Sequence, residues 1–263
     1  MTRLTGQLGK RLADFIPQIV VPLMFCVLWE AYVRGFNVDP KLLPPPTAVL
    51  AEIGAKAPLL LAHAPPTLTA ILIGFVGSAI VGVIFGALMA SSRLLDAAIF
   101  PLLVFSQTIP KIAIAPLLMI WFGFGIGSKV LISFLMAFFP VVVDTMVGIK
   151  AMPVELYQLA RSMGASRIET FYKFRLPYAL PYIFGGLRIA AVLAVTGTVV
   201  GEFVGAERGL VYLLLTAQAA QQTSLVFAIV VILSALSILL FEIVECAERW
   251  LLPWYAHRHQ AGQ

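Results

Sequence analysis

Lys111, Asp144, Arg188 and Glu202 stand inside long apolar runs, where a charge is expensive unless it is paired, reaches water or serves a pathway. Lys111 follows Pro110, with Gln107 and Thr108 just before it. A bend at that proline exposes backbone amides beside a cation, which suits an anionic substrate group or a carboxylate on another helix. The same lysine can instead pair with Asp144 or snorkel to an interface. Arg188 lies near one end of its run, where an interfacial or structural role outweighs a pore role. Asp144 is placed to partner either Arg188 or Lys111. Glu202, at the far end of the same run as Arg188, is expected to join an outer gate or to hold the loop from Gly205 to Gly209. Gln107, Lys111, Trp121, Asp144 and Glu202 are therefore candidates for a substrate path, with Trp121 as its roof.

Other chemistry is poorly supplied. No nucleophile and base converge in the pattern, so an enzyme is not expected. His63, His257 and His259 lack companions at metal-ligand spacing, and neither a metal nor another cofactor is expected. Cys26 and Cys246 fall in apolar runs and do not form a disulfide framework. Gly123-Phe124-Gly125-Ile126-Gly127 has no lysine and no strand-to-helix setting, so it reads as a tight turn rather than a phosphate loop.

The elements that position these groups are set by composition. The chain is 60% hydrophobic and 12% charged, and its mean hydropathy is +0.97. That is the balance of a polytopic membrane protein of α class. A spanning helix needs about 20 mainly apolar residues, and six runs qualify: Phe15 to Val33, Thr67 to Ala90, Ala97 to Trp121, Val130 to Ile149, Tyr182 to Val204 and Leu225 to Cys246. Pro101, Pro110 and Pro116 should bend or break the third. Gly74, Gly77, Ser78, Gly82 and Gly86 form a small-residue stripe for close helix packing. Trp29, Trp121, Trp250 and Trp254 fall near span ends, as an aromatic belt requires.

Basic residues fix a direction. With the amino terminus inside, only Arg34, Lys41, Lys56, Lys129 and Arg208 fall outside and Lys111 and Arg188 within spans; the rest of the 18 lie inside. Both termini are then cytoplasmic. Leu4, Leu8, Leu12 and Phe15 recur at helical spacing among Arg3, Lys10 and Arg11, which suits a helix on the inner leaflet or a frayed tail. The first apolar run is span-length and lacks a cleavage site, so it is expected to remain as an anchor. The net charge of +5 is dispersed over membrane flanks, with no basic groove to suggest nucleic acid.

One stretch breaks the apolar pattern, Pro153 to Pro181. Pro153 suits a first helical turn, and Leu156, Leu159, Ala160 and Met163 can share one face. Gly164 stands where a helix end favours a left-handed residue. Ser166 followed by Glu169 is a capping-box pattern, predicting a second helix to about Phe174, stopped by Pro177 and Pro181. Helices this short need a partner to be stable.

This stretch resembles the EAA loop of bacterial ABC importer permeases. The family pattern falls on Gln158-Leu159-Ala160, Gly164 and Phe174-Arg175-Leu176-Pro177; Ala160, Gly164, Leu176 and Pro177 match, whereas Gln158, Leu159 and Phe174 depart. Glu155 lies one turn before the missing glutamate. Further stretches resemble the nitrate, sulfonate and taurine type: Leu43-Pro44-Pro45-Pro46-Thr47, Ile109-Pro110-Lys111, Trp121-Phe122-Gly123-Phe124-Gly125, Gly186-Leu187-Arg188 and Gly209-Leu210. Glu202, Gly205 to Arg208 and the terminal Glu248-Arg249-Trp250 look closer to members serving pyrimidine precursors, riboflavin or aromatic acids. The resemblance implies one permease domain over 1–263, with 153–178 as a cytoplasmic coupling loop. It also implies a bacterial inner-membrane location, a second permease copy in a homodimer, two cytoplasmic ABC ATPase subunits and an extracytoplasmic substrate-binding protein. The coupling residues it implies are Glu155, Gln158, Leu159, Ala160, Met163, Gly164, Ala165, Ser166, Leu176 and Pro177. A secondary transporter or channel without an ATPase is the alternative; it needs no Gly164-centred loop.

Overall fold

In a computed structural model of the chain, residues 20–253 are described, and all regular structure among them is helical. They group into two compact units. One holds the residues up to Leu61 together with Leu213–Val231; the other holds Ala62–Tyr212 and the residues from Ile232 on. The described helices are α1 (20–35), α2 (Pro46–Ala55), α3 (Ala57–Ser91), α4 (Arg93–Thr108), α5 (Lys111–Phe122), α6 (Ile126–Lys150), α7 (Val154–Ser162), α8 (Arg167–Thr170), α9 (Leu176–Gly205), α10 (Leu210–Ala219) and α11 (Thr223–Leu251).

Within the first unit, Glu30 of α1 holds the start of α2. Its carboxylate accepts the Thr47 N–H at 3.1 Å, the Thr47 hydroxyl at 2.8 Å and the Arg34 Nε at 2.6 Å. The Leu43-Pro44-Pro45-Pro46-Thr47 stretch thereby becomes a helix start, with Pro46 in the first turn and an acid satisfying a free amide.

In the second unit the small-residue stripe of α3 lies on α6. Cβ atoms built at Gly74, Gly82 and Gly86 would collide with Ser133, Val141 and Thr145. Both sets of numbers rise together in steps of four or eight, so α3 and α6 run parallel, with backbones close enough to exclude side chains. Gly77 is in ordinary contact with Phe134, 3.5 Å from a built Cβ. Between α6 and α9 the pairs are Gly148 with Tyr182, Gly186 with Asp144, Gly197 with Ser133 and Gly201 with Lys129. Here one number rises as the other falls, so α9 runs antiparallel to α6. The core joins these helices to α11 through Ile71, Ala137, Val141, Phe184, Ala191 and Leu240.

Among the described residues, four helical stretches are long and apolar enough to span a membrane: α3, α6, the continuous stretch Arg167–Gly205 and α11. The expected third span is broken, α4 and α5 meeting at 97°. Because α3 and α6 are parallel, the chain between them must return to its starting end. Asp96 at the start of α4 meets Lys150 at the end of α6, 2.7 Å away, whereas Ala115 and Leu118 of α5 pack on Ile132 near the start of α6. The broken pair therefore crosses the layer once instead of turning back. The break falls at Ile109-Pro110, both extended, while Pro101 and Pro116 lie inside their helices. The first expected span is described from residue 20, and the proposed leaflet helix at residues 4–15, Trp254, His257 and His259 lie outside the described residues.

Several expectations are corrected. The second span begins at Ala57, ten residues before Thr67, because Pro65 and Pro66 are absorbed within α3. Thr69 Oγ1 donates to the Pro65 carbonyl at 2.7 Å. His63, expected in a loop, is accordingly helical. The second helix of the charged stretch does not stop before Pro177. A five-residue π-turn, Phe171–Arg175, carries α8 into α9, and Pro177 falls in the first turn of α9, where its missing N–H is harmless. α10 is not among the expected elements, since ten mainly apolar residues after a loop are too short to announce themselves as a span.

Candidate functional site

The charged stretch forms a compact double turn. α7 ends at Ser162 with Met163 as its C-cap, and Gly164 follows with φ +80°. The Ala165 N–H donates to the Ala160 carbonyl at 3.1 Å and the Gly164 N–H to the Arg161 carbonyl at 3.0 Å, a Schellman closure. The Arg161 guanidinium donates to the Ala165 carbonyl at 3.0 Å. Ser166 then caps α8: its hydroxyl accepts the Glu169 N–H at 3.2 Å, and Glu169 accepts the Ser166 N–H at 2.9 Å. That backbone bond, with help from Lys173 at 3.1 Å, holds the Glu169 carboxyl down to about 2.

The face of α7 differs from the expected one in one member. Ala160 is fully buried, while Leu156, Leu159 and Met163 are exposed, Met163 at 73%. Ile168 and Tyr172 are exposed beyond the turn. The loop therefore shows an apolar surface anchored from behind by Ala160. Glu155 and Gln158 are exposed on α7. Leu176 and Pro177 open α9.

Among the described residues, a hydrogen bond joins two of the five path candidates. Lys111 opens α5 at the break within the bent crossing, and its ammonium donates to the Gln107 side chain across that break. Asp144 makes no ion pair among the described residues, so the expected partnerships with Lys111 or Arg188 do not form. Arg188 instead pairs with Glu248 of α11 and lies 5.8 Å from the Phe241 ring centroid. That partner is hidden in one dimension, because Glu248 sits beyond the last apolar run. Trp121 is exposed in the last turn of α5. Glu202 is wholly buried. It accepts the Thr67 hydroxyl at 2.7 Å and the Val211 N–H at 3.0 Å, and Thr67 Oγ1 in turn accepts the Leu210 N–H at 2.9 Å. Thr67 was visible only as a polar residue at a span start.

A multi-helical membrane bundle with a broken span and an exposed apolar double turn defines a class. Residues 78–254 match the family model described as "Binding-protein-dependent transport system inner membrane component". The chain belongs to that family, and is a permease subunit of an ABC importer. It is 41% identical to the formylaminopyrimidine transport permease protein ThiX of Halalkalibacterium halodurans, over 88% of this chain and 93% of that one. It is 37% identical to the riboflavin transport system permease protein RibX of Chloroflexus aurantiacus, over 90% and 89%. The fold matches a solved structure of the MetNI methionine ABC transporter, with a TM-score of 0.65, 19% identity and coverage of 74% and 97%. The expected nitrate, sulfonate and taurine type is borne out by relatives named for each. Family membership decides against the secondary transporter or channel.

Proposed function

We propose that the chain moves a small organic or anionic nutrient into the bacterial cytoplasm as one half of a homodimer, driven by two separate ATPase subunits that dock on the 153–178 loop. The observation that carries this reading is the exposed stripe of Leu156, Leu159 and Met163 on a loop locked at Gly164 and Ser166. An apolar surface on a charged segment outside the bundle suits a soluble protein partner better than solvent. The coupling set is Glu155, Gln158, Leu159, Ala160, Met163, Gly164, Ala165, Ser166, Leu176 and Pro177, with Ala160, Leu176 and Pro177 as its anchor to the bundle. ATP binding draws the ATPase subunits together, the loops move with them, and the bundle alternates between inward and outward openings because ATP stabilises one state more than the other.

Gln107, Lys111, Trp121 and Asp144 remain the proposed path, centred on the Pro110 break, where α5 starts with free amides beside an ammonium. That chemistry favours an anionic group such as a sulfonate or carboxylate. Relatives named for formylaminopyrimidine and riboflavin widen the class to small heterocyclic nutrients.

Both termini are cytoplasmic in this reading. Single cysteines at Ala55 and Ser166, in a background without Cys26 and Cys246, test it. An impermeant maleimide added outside is expected to label Ala55→Cys alone; labelling of Ser166→Cys from outside would overturn the orientation.

A further inference from the structure

We propose that Glu202 is a positioning residue that fixes the 206–209 loop and the first turn of α10 as the contact surface for the loaded binding protein. The proposal rests on the orientation given above, which puts this loop outside.

The first amides of a helix have no acceptor within it. In α10 the Leu210 and Val211 N–H groups are satisfied by Thr67 of α3 and Glu202 of α9, and the Thr67 hydroxyl also donates to Glu202. One carboxylate and one hydroxyl thus tie three helices at a single point. Gly209 lies directly against the carboxylate: its φ is +132°, and a Cβ built there would stand 2.5 Å from Glu202 Cδ. Lys129, also buried, donates from Nζ to the Arg208 carbonyl at 3.4 Å, a second hold on the same loop. Lys129 and His63 face the carboxylate electrostatically, and the His63 ring stacks on Tyr212 at 6.0 Å between centroids.

A buried carboxylate costs several kcal/mol of desolvation, and an apolar residue of similar size often serves stability as well. What the carboxylate supplies is directional: two fixed acceptors for one hydroxyl and one amide. The loop so held buries Gly209 and Leu210 and exposes Glu207 and Arg208. An exposed charge pair on a rigid turn suits a protein surface of matching charge, since such pairs set register and encounter rate.

The test uses the permease reconstituted with its ATPase and binding protein. Thr67→Val keeps the side-chain shape and removes the hydroxyl; Thr67→Ser keeps the hydroxyl. Thr67→Val is expected to lower stimulation of ATP hydrolysis by loaded binding protein about tenfold, with basal hydrolysis unchanged and the unfolding temperature lowered by only a few degrees, and Thr67→Ser to retain stimulation. Glu202→Gln is expected to lose stimulation as well, because its side chain keeps one acceptor oxygen for the two donors, the Thr67 hydroxyl and the Val211 N–H, and presents an NH2 group to the other. Unaltered stimulation in Thr67→Val and Glu202→Gln overturns the proposal, as does a loss that basal hydrolysis and stability follow in step. If Thr67→Val does not assemble, charge reversal at exposed Glu207 and Arg208 decides: lost stimulation supports the proposal and unchanged stimulation overturns it. Labelling of Glu207→Cys by an impermeant reagent from outside separates the two levels. A labelled loop with normal stimulation sinks this inference alone, whereas a loop reached only from inside sinks the orientation.

Discussion

Asp144 of α6 fits beside Gly186 of α9 because position 186 has no side chain: a Cβ there would stand 2.9 Å from Asp144 Cβ and 2.9 Å from the Pro140 carbonyl oxygen. The neighbouring Gly185 has open space around a built Cβ. Gly186→Ala is therefore expected to destabilise the bundle by roughly 1–3 kcal/mol through overpacking. Gly185→Ala should be neutral or slightly stabilising, because alanine is the better helix former. Thermal unfolding of both variants in detergent checks this; equal midpoints would contradict the α6–α9 register.

Gly164 closes α7 in the left-handed region with nothing within 4 Å of a built Cβ, so backbone conformation alone demands glycine. Gly164→Val should cost about 1 kcal/mol or more locally. Transport and ATPase association are expected to fall together while membrane insertion persists, and Gly164→Asn should retain more of both. Transport at the wild-type rate by Gly164→Val would contradict the coupling assignment.

The capping box makes the loop sensitive to acid. Glu169 is held down to about 2 in the folded loop against an ordinary 4.5, chiefly by the Ser166 backbone N–H. A depressed carboxyl stabilises the folded loop fully above 4.5, and that contribution is lost as pH falls through about 2. A carbon-detected titration of the Glu169 carboxyl should place its midpoint near 2; a midpoint near 4.5 would show that the box does not form.

Lys111 and Asp144 do not pair, which separates two readings of the same lysine. Lys111→Met should abolish transport while the complex stays assembled, and adding Asp144→Asn should not restore it. Rescue in the double variant, measured as uptake into vesicles, would mean that the lysine only neutralises an acid within the membrane.

Much of this was legible in the residues. The α3 stripe, the Gly164 turn and the Ser166–Glu169 box each depend on interactions within a few residues or on a strict four-residue period, and such patterns survive in one dimension. The break at Pro110 was foreseen with Pro101 and Pro116 as equals. The structure selects Pro110 because the residue before it, Ile109, is extended. What sequence could not supply were partners brought from far along the chain. Arg188 finds Glu248, and Glu202 finds Thr67, across separations that no local period encodes. The π-turn was also hidden, because it moves the helix register without changing composition and lets Pro177 sit at a helix start.

In the proposed coupling, ATP hydrolysis is transmitted to the bundle through the apolar face of α7. Leu159→Asp and Met163→Asp alter exposed positions that contribute little to the permease's own packing. The most direct measurement is ATP hydrolysis by the cognate ATPase on vesicles carrying these variants, with loaded binding protein present. Docking through this face requires normal insertion and at least a tenfold loss of permease-dependent hydrolysis, about 1.4 kcal/mol or more of docking energy; hydrolysis and uptake at wild-type rates in both variants would contradict it.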